Sequence, residues 1–82
     1  MSTKTRRFIV TDSDDLMRVG EGLAALRSGT GMTTEQFAVH CGLASSSVRD
    51  IEKGRTIPRL STFDALCRGL GAHYRIEVEM PE

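Results

Sequence analysis

The sequence predicts a small, mainly α-helical domain of four short helices that ends in a β-strand. Three patterns carry this prediction: apolar residues recur at helical spacing in four segments, a capping box marks one helix start, and apolar and charged residues alternate near the C-terminus. A chain of 82 residues buries only about 60–65% of its unfolded surface, so a single compact core is the most that it can build.

The first helix is expected to run from Asp12 to about Ser28. Its opening residues, Asp12-Ser13-Asp14-Asp15, offer side-chain oxygens for an N-cap and carboxylates that suit the positive end of the helix dipole. Four apolar residues share one face by their spacing: Leu16, Val19, Leu23 and Leu26. Gly20 and Gly22 lower the helix propensity of this segment by up to ~1 kcal/mol each.

Two shorter helices, joined by a turn at Gly42, form the most informative unit. Thr33 and Gln36 have the spacing of a capping box at the start of the second helix. The third helix is expected from about Ser45 to Lys53, because Gly54 then ends it. A helix, a glycine-led turn and another helix make a helix-turn-helix, which can place its second helix in the major groove of DNA.

The third helix has one apolar and one polar face. Val48 and Ile51 point inward by their spacing. The residues left for the outer face are polar: Ser45, Ser46, Arg49, Asp50 and Lys53. A recognition helix needs this arrangement, since one face must hold it to the domain while the other reaches base edges.

Basic residues cluster beside the third helix, although the whole chain has no formal net charge. Lys53, Arg55 and Arg59 are placed to grip phosphates next to the groove. From residue 45 to residue 60, four basic residues outweigh two acidic ones, which leaves a local excess of +2. A neutral chain can therefore still present a basic face.

Arg27 and Glu52 are expected to form an internal ion pair. Arg27 follows Leu23 by four residues and Glu52 follows Val48 by four, so each lies at the inner edge of its helix. Either charge would be costly to bury alone. Their pairing would remove Glu52 from the charge that faces DNA.

The two ends of the chain are expected to be extended. After a fourth helix between Pro58 and Gly71, apolar residues alternate with charged ones: Tyr74, Ile76, Val78 and Met80. A lone strand is not stable in water, so this one needs either its copy in a second protomer or the β-rich run 7–11 as a partner. The expected organisation is an N-terminal arm or short strand (1–11), a helix-turn-helix domain (12–71) and a dimerisation strand (72–82).

Three stretches carry a recognisable combination of residues: Met32-Thr33-Thr34-Glu35-Gln36-Phe37-Ala38, Gly42-Leu43-Ala44-Ser45, and Val48-Arg49-Asp50-Ile51-Glu52-Lys53-Gly54-Arg55, followed by Pro58 and Leu60. Together they resemble the Xre/Cro-type helix-turn-helix family of bacterial and phage regulators. The resemblance implies base-facing positions for Ser45, Ser46, Arg49 and Asp50. It also implies that four residues lie near phosphates (Thr33, Thr34, Lys53 and Arg55) and that Arg27 and Glu52 form the family's internal salt bridge.

Two departures from the family pattern affect the third helix. Ala44 stands where the family usually has a Ser or Thr N-cap, so Ser45 is expected to cap this helix instead. Ser45 and Ser46 stand where longer side chains are common, and short hydroxyls reach base edges poorly. Direct readout is therefore expected to rest mainly on Arg49, with guanine as its partner, while DNA shape supplies the remainder.

A C-terminal strand in place of a fifth helix resembles the HipB-type antitoxins, whose strands pair across a dimer. This resemblance implies a homodimer held by Tyr74, Ile76 and Val78 on double-stranded, pseudo-palindromic operator DNA. It implies an autoregulating antitoxin that represses its own operon and restrains a toxin such as a HipA-like kinase. The alternatives are a phage repressor or restriction–modification controller and, in another class, a protein-interaction adaptor that does not bind DNA.

Other classes of function find no support in the sequence. No nucleophile–base pair or metal cluster is spaced for chemistry, so no enzyme activity, cofactor or metal site is expected. Cys41 and Cys67 are expected to be reduced core fillers. No apolar run is long enough for a membrane span and no signal peptide is recognised, so a cytoplasmic protein is expected. The family resemblance implies a bacterial or phage origin.

Overall fold

The computed structural model describes residues 7–81, which contain four α-helices. These are α1 (Ser13–Gly29), α2 (Thr34–Cys41), α3 (Ser45–Glu52) and α4 (Leu60–Leu70). The prediction of four helices is confirmed, with ends close to those expected from the sequence. Within residues 7–81, no helix is both long enough and apolar enough to cross a membrane.

The helix starts follow the local sequence at α1 and α2 but not at α3. The Asp12 side chain caps α1 by accepting from the Asp15 N–H at 2.9 Å. Both bonds of the Thr33–Gln36 capping box form at α2, at 3.0 and 3.1 Å. The expectation that Ser45 caps α3 is wrong: Ser45 is already the first helical residue, and Ala44 holds the N-cap position without a side-chain hydrogen bond.

The core lies where all four helices meet. It consists of nine buried residues: Val19, Leu23, Phe37, Ala38, Val48, Ile51, Phe63, Leu66 and Cys67. α1 packs on α3 and α4, and α2 packs on the same two helices. Gly42 turns the chain between α2 and α3 with a φ of 73°, a left-handed conformation that glycine adopts without steric cost.

Gly20 permits a close approach of α1 to α3. A Cβ atom at this position would lie 2.3 Å from the carbonyl oxygen of Ile51, far inside contact distance. The glycine that lowers helix propensity in α1 therefore serves packing, because any side chain would push α3 away. The sequence alone indicates the cost of Gly20 to helix propensity but not this packing role.

Arg27 and Glu52 link α1 to the end of α3. Arg27 Nε donates to Glu52 Oε2 at 2.6 Å, and Arg27 Nη2 donates to Glu52 Oε1 at 3.3 Å. Arg27 Nη1 also donates to the Met32 carbonyl at 2.7 Å, while the Thr34 hydroxyl donates to Glu52 Oε1 at 3.1 Å. The network thus joins α1, the loop before α2, the first turn of α2 and the last turn of α3.

The predicted strands do not form in the single chain. Residues 7–11 and 72–81 make no β-ladder within the described part of the chain, so pairing between these two segments is wrong. Each segment instead meets a different helix. Phe8 lies close to Gly22 of α1, where an added Cβ would be 2.9 Å from its ring, and Tyr74 contacts α4.

Tyr74 anchors the start of the C-terminal segment. Its ring packs edge-on against Phe63 with centroids 5.1 Å apart, and its hydroxyl donates to Asp64 Oδ1 at 2.8 Å. The hydrogen bond from Tyr74, followed by that from Arg68, lowers the pKa of Asp64, whereas the bond to Asp64 raises the pKa of Tyr74. Beyond this anchor the segment is exposed.

Replacing Glu52 with Ala should lower the free energy of unfolding by about 3 kcal/mol, because Arg27 would remain largely buried without its counter-ion. Urea unfolding at one fixed protein concentration measures this loss. The matched control is Arg18→Ala, which breaks an exposed pair with Asp15 and should cost less than about 1 kcal/mol. Equal losses in the two variants would contradict a structural role for the Arg27–Glu52 pair.

Tyr74, the only tyrosine in the chain, should titrate above its ordinary pKa of about 10. Its contact with Asp64 should be intact from about pH 4 to about pH 10. The contact is lost on acidification once Asp64 becomes protonated at its lowered pKa, and in base once Tyr74 ionises at its raised pKa. Phenolate absorbance measures the ionisation of Tyr74. In the variant Asp64→Asn, the pKa of Tyr74 should return to its ordinary value. Identical titration curves would show that the two side chains are not in contact.

Candidate nucleic-acid interface

α3 is held to the domain by one face only. Val48 is fully buried and Ile51 is 4% exposed. On the outer face, Ser46 and Ser47 are exposed and Ser45 is half-buried. Their hydroxyl groups form no hydrogen bond with any residue of the described range 7–81. The outer face of α3 therefore carries short polar groups that are free to meet a ligand.

Arg49 is the one basic residue within α3, and it is ion-paired across to α2. Its Nη2 donates to Oε1 of Glu35, which lies in the first turn of α2. Both side chains remain open to solvent, with 41% of Arg49 and 60% of Glu35 exposed. The predicted base-reading arginine thus has a carboxylate neighbour that the sequence did not indicate.

Asp50 lies beside Arg55, just after α3. Arg55 Nη1 is 3.7 Å from Asp50 Oδ1, and the backbone N–H of Arg55 donates to the Asp50 carbonyl at 2.9 Å. This contact keeps Asp50 partly neutralised and holds Arg55 next to the end of α3. Within residues 7–81 no ion pair involves Lys53 or Arg59, and both are exposed.

Thr33 and Thr34 have different surroundings, although both are candidates for phosphate contact. Thr33 is exposed but occupies the capping box of α2. The hydroxyl of Thr34 donates inward to Glu52, so its side chain serves the internal network. The backbone N–H groups of Thr34 and Glu35 lie in the first turn of α2, where helix geometry leaves such groups without an intrahelical partner.

The dimerisation candidates lie on the exposed C-terminal segment. Tyr74 is 40% exposed, Ile76 61% and Val78 66%. The last two are apolar side chains without cover in the single chain. Within residues 7–81, none of these three side chains forms a hydrogen bond or ion pair with α3 or with another of the three.

The cysteines are shielded rather than reactive. Cys67 is buried in the core and Cys41 is half-buried, and burial raises the pKa of both thiols. A raised pKa keeps a thiol protonated and poorly nucleophilic. Among residues 7–81 no group of three or more His, Cys, Asp or Glu side chains is arranged to hold a metal ion.

The Glu35–Arg49 pair is the site feature that sequence reasoning missed. The two residues are 14 positions apart on different helices. Their contact depends on the angle between α2 and α3, which helical spacing within either segment does not specify. The sequence hint to this pair is limited to the charges: Glu35 is acidic in the first turn of α2, and Arg49 is basic on the outer face of α3.

Known proteins resemble this chain over most of its length. The antitoxin HigA1 of Mycobacterium tuberculosis is 30% identical over 70 residues, which cover 85% of this chain and 47% of that protein. The immunity repressor protein of Bacillus phage phi105 is 38% identical over 55 residues, which cover 67% of this chain and 38% of that protein. The chain thus spans less than half the length of these curated relatives.

A solved structure and a family model agree on the fold. The hypothetical transcription factor NHTF from Neisseria matches with a TM-score of 0.66 and 26% identity, over 87% of this chain and 80% of that one. The model described as "Helix-turn-helix domain" matches residues 18–79, which include all of α2, α3 and α4. This chain therefore belongs to the helix-turn-helix domain family of DNA-binding regulators.

Proposed function

We propose that this protein is a sequence-specific transcriptional repressor that binds operator DNA as a homodimer. The observation that carries the proposal is α3, whose inner face is locked by Val48 and Ile51 while its outer face is polar and open. A helix held in this way can enter the major groove without disturbing the core. The proposed DNA-binding domain is 12–71, flanked by the arm 1–11 and the segment 72–82.

The proposed contacts divide into two groups. Base edges are read from the outer face of α3 by four residues: Ser45, Ser46, Arg49 and Asp50. Phosphates are bound around it by five residues: Thr33, Thr34, Lys53, Arg55 and Arg59. Lys53 and Arg59 are the strongest phosphate candidates because no described carboxylate neutralises them, whereas Thr34 contributes through its backbone because its hydroxyl is engaged.

The proposed dimer uses segment 72–82. Within the described residues, the backbone of 73–81 makes no hydrogen bond in a ladder or turn, and the side chains of Ile76 and Val78 are exposed. The same segment of a second protomer would supply a strand partner and cover these side chains, as it does in the HipB-type antitoxins that the segment resembles. Two copies of α3 would then be set about one DNA turn apart.

The proposed biological role is that of an autoregulating antitoxin in the bacterial cytoplasm. Similarity to the antitoxin HigA1 supports it, and similarity to a phage immunity repressor supports the alternative of a phage repressor. The resemblance to HipB-type antitoxins suggests a HipA-like kinase as the toxin, a partner class that HigA1 similarity does not specify. Co-purification with the product of the adjacent gene distinguishes an antitoxin from a phage repressor or a restriction–modification controller.

Binding to the protein's own upstream DNA, against random duplex of equal length at several salt concentrations, tests the proposal. A dimer that contacts six to eight phosphates should give a log–log salt slope of about −5 to −7 and should prefer the upstream DNA. Absence of binding to both duplexes at every salt concentration would contradict the proposal and favour a protein-interaction adaptor.

Two variants separate the proposed contact classes in the same assay. Arg49→Ala should cost about 1–3 kcal/mol on specific DNA and relax the preference at one base pair. Lys53→Ala should weaken all duplexes alike and reduce the magnitude of the salt slope by about one. Equal losses for Arg49→Ala on specific and random DNA would contradict its base-reading role.

Deleting residues 73–82 should convert the dimer to a monomer without unfolding the helices, since the nine core residues all lie before this segment. Light scattering measures the mass, and circular dichroism checks the helix content. The single substitution Tyr74→Phe is the control, because it keeps the segment and loses only the hydrogen bond to Asp64. A deletion variant that remains dimeric would place the interface on the helices.

A further inference from the structure

The pair between Glu35 and Arg49 joins the two helices of the helix-turn-helix on their outer side. Arg49 uses one N–H of its guanidinium fork, on Nη2, to bind Glu35. No described residue accepts from its Nε or Nη1. The carboxylate therefore leaves part of the guanidinium available to a second acceptor, such as the O6 and N7 edge of guanine.

Stability does not account for this pair. Both side chains are open to solvent, and such an ion pair contributes little to folding because water and salt screen it. The pair bears instead on where Arg49 can reach. A long, flexible cation on the outer face of α3 can turn toward either a base or a phosphate, and its ion pair with the carboxylate at the start of α2 biases that choice.

The charge of Glu35 also acts on DNA directly. Phosphates are expected beside the first turn of α2, where the backbone N–H groups of Thr34 and Glu35 lack intrahelical partners. A carboxylate at this place repels phosphates on every duplex. When Arg49 engages a guanine through its remaining N–H groups, the guanidinium keeps its pair with Glu35 and offsets this repulsion. On random DNA, Arg49 reaches a phosphate only by leaving Glu35, and the repulsion is then not offset.

We propose that Glu35 is a specificity-determining residue that positions Arg49 for base reading and penalises binding to DNA without the cognate base. The inference rests on the proposed function, since it concerns how α3 discriminates among duplexes. It makes Glu35 a positioning residue that acts through Arg49, with no base contact of its own. Lys53 and Arg59, which lack such a carboxylate, would bind phosphates of any sequence.

The test begins with selection of a preferred site by the full chain from a library of random-sequence duplexes. Affinities are then measured on the selected site and on a random duplex for the wild-type protein, Glu35→Gln and Asp14→Asn. Asp14→Asn is the control because it removes one negative charge from an exposed side chain in the first turn of α1, outside the proposed DNA contacts and the segment 72–82. Urea unfolding and light scattering verify that both variants fold and assemble as the wild-type protein does.

Glu35→Gln should bind random DNA about twofold to fivefold more tightly, because a repulsive charge is gone. Its discrimination between selected and random duplex should fall by about threefold to tenfold, since Arg49 is no longer held for its base. Asp14→Asn should leave the discrimination unchanged. Unchanged discrimination in Glu35→Gln, or an equal fall in Asp14→Asn, would overturn the inference.

A double-mutant cycle with Arg49→Ala shows whether Glu35 acts through Arg49. In the Arg49→Ala background, adding Glu35→Gln should change overall affinity but not the ratio between the two duplexes. A further fall in the ratio would show that Glu35 reads DNA independently and would overturn the positioning role. If the wild-type protein selects no site at all, the proposed function itself fails, which is a separate outcome from a selected site with unchanged discrimination.

Discussion

The structure depends on the junction between α1 and α3. Gly20 lets α1 approach the backbone of α3 at Ile51, and the Arg27–Glu52 pair links the same two helices at the next residue of α3. Because Arg27 also binds the Met32 carbonyl and Glu52 accepts from Thr34, this junction fixes the loop and the start of α2 as well. The orientation of α3 in the domain is therefore set by groups on its inner side, and its outer face takes no part.

This division of labour explains how so short a helix can serve as a reading element. α3 has eight residues, begins with three serines and lacks a side-chain cap, so it would not be stable in isolation. Burial of Val48 and Ile51 and the anchoring of Glu52 supply the stability that its local sequence does not. The outer residues of α3 do not pack into the core, so they are available for the DNA contacts proposed for them.

Three features could be predicted because each follows from spacing within one segment. They are the helix positions, the capping box at Thr33, and the inward placement of Arg27 and Glu52. Contacts that depend on the angle between helices could not, and these include the Glu35–Arg49 pair and the inward Thr34 hydroxyl. The C-terminal strand is predicted from alternation and the N-terminal one from the β-rich run 7–11. Both signals are local, but a ladder also needs a neighbouring strand, and residues 7–81 provide none.

The ion pairs of the structure show which charges near α3 remain available to attract DNA. Glu52 is neutralised inside, while Glu35 and Asp50 each sit against a cation at the edge of α3. Lys53 and Arg59 are the cations near α3 that no described carboxylate offsets. Non-specific attraction to DNA grows with the number of phosphates that free cations neutralise, so each protomer alone should bind random DNA weakly. In the proposed dimer, this weak background binding would leave the two copies of α3 as the main source of affinity and hence of selectivity.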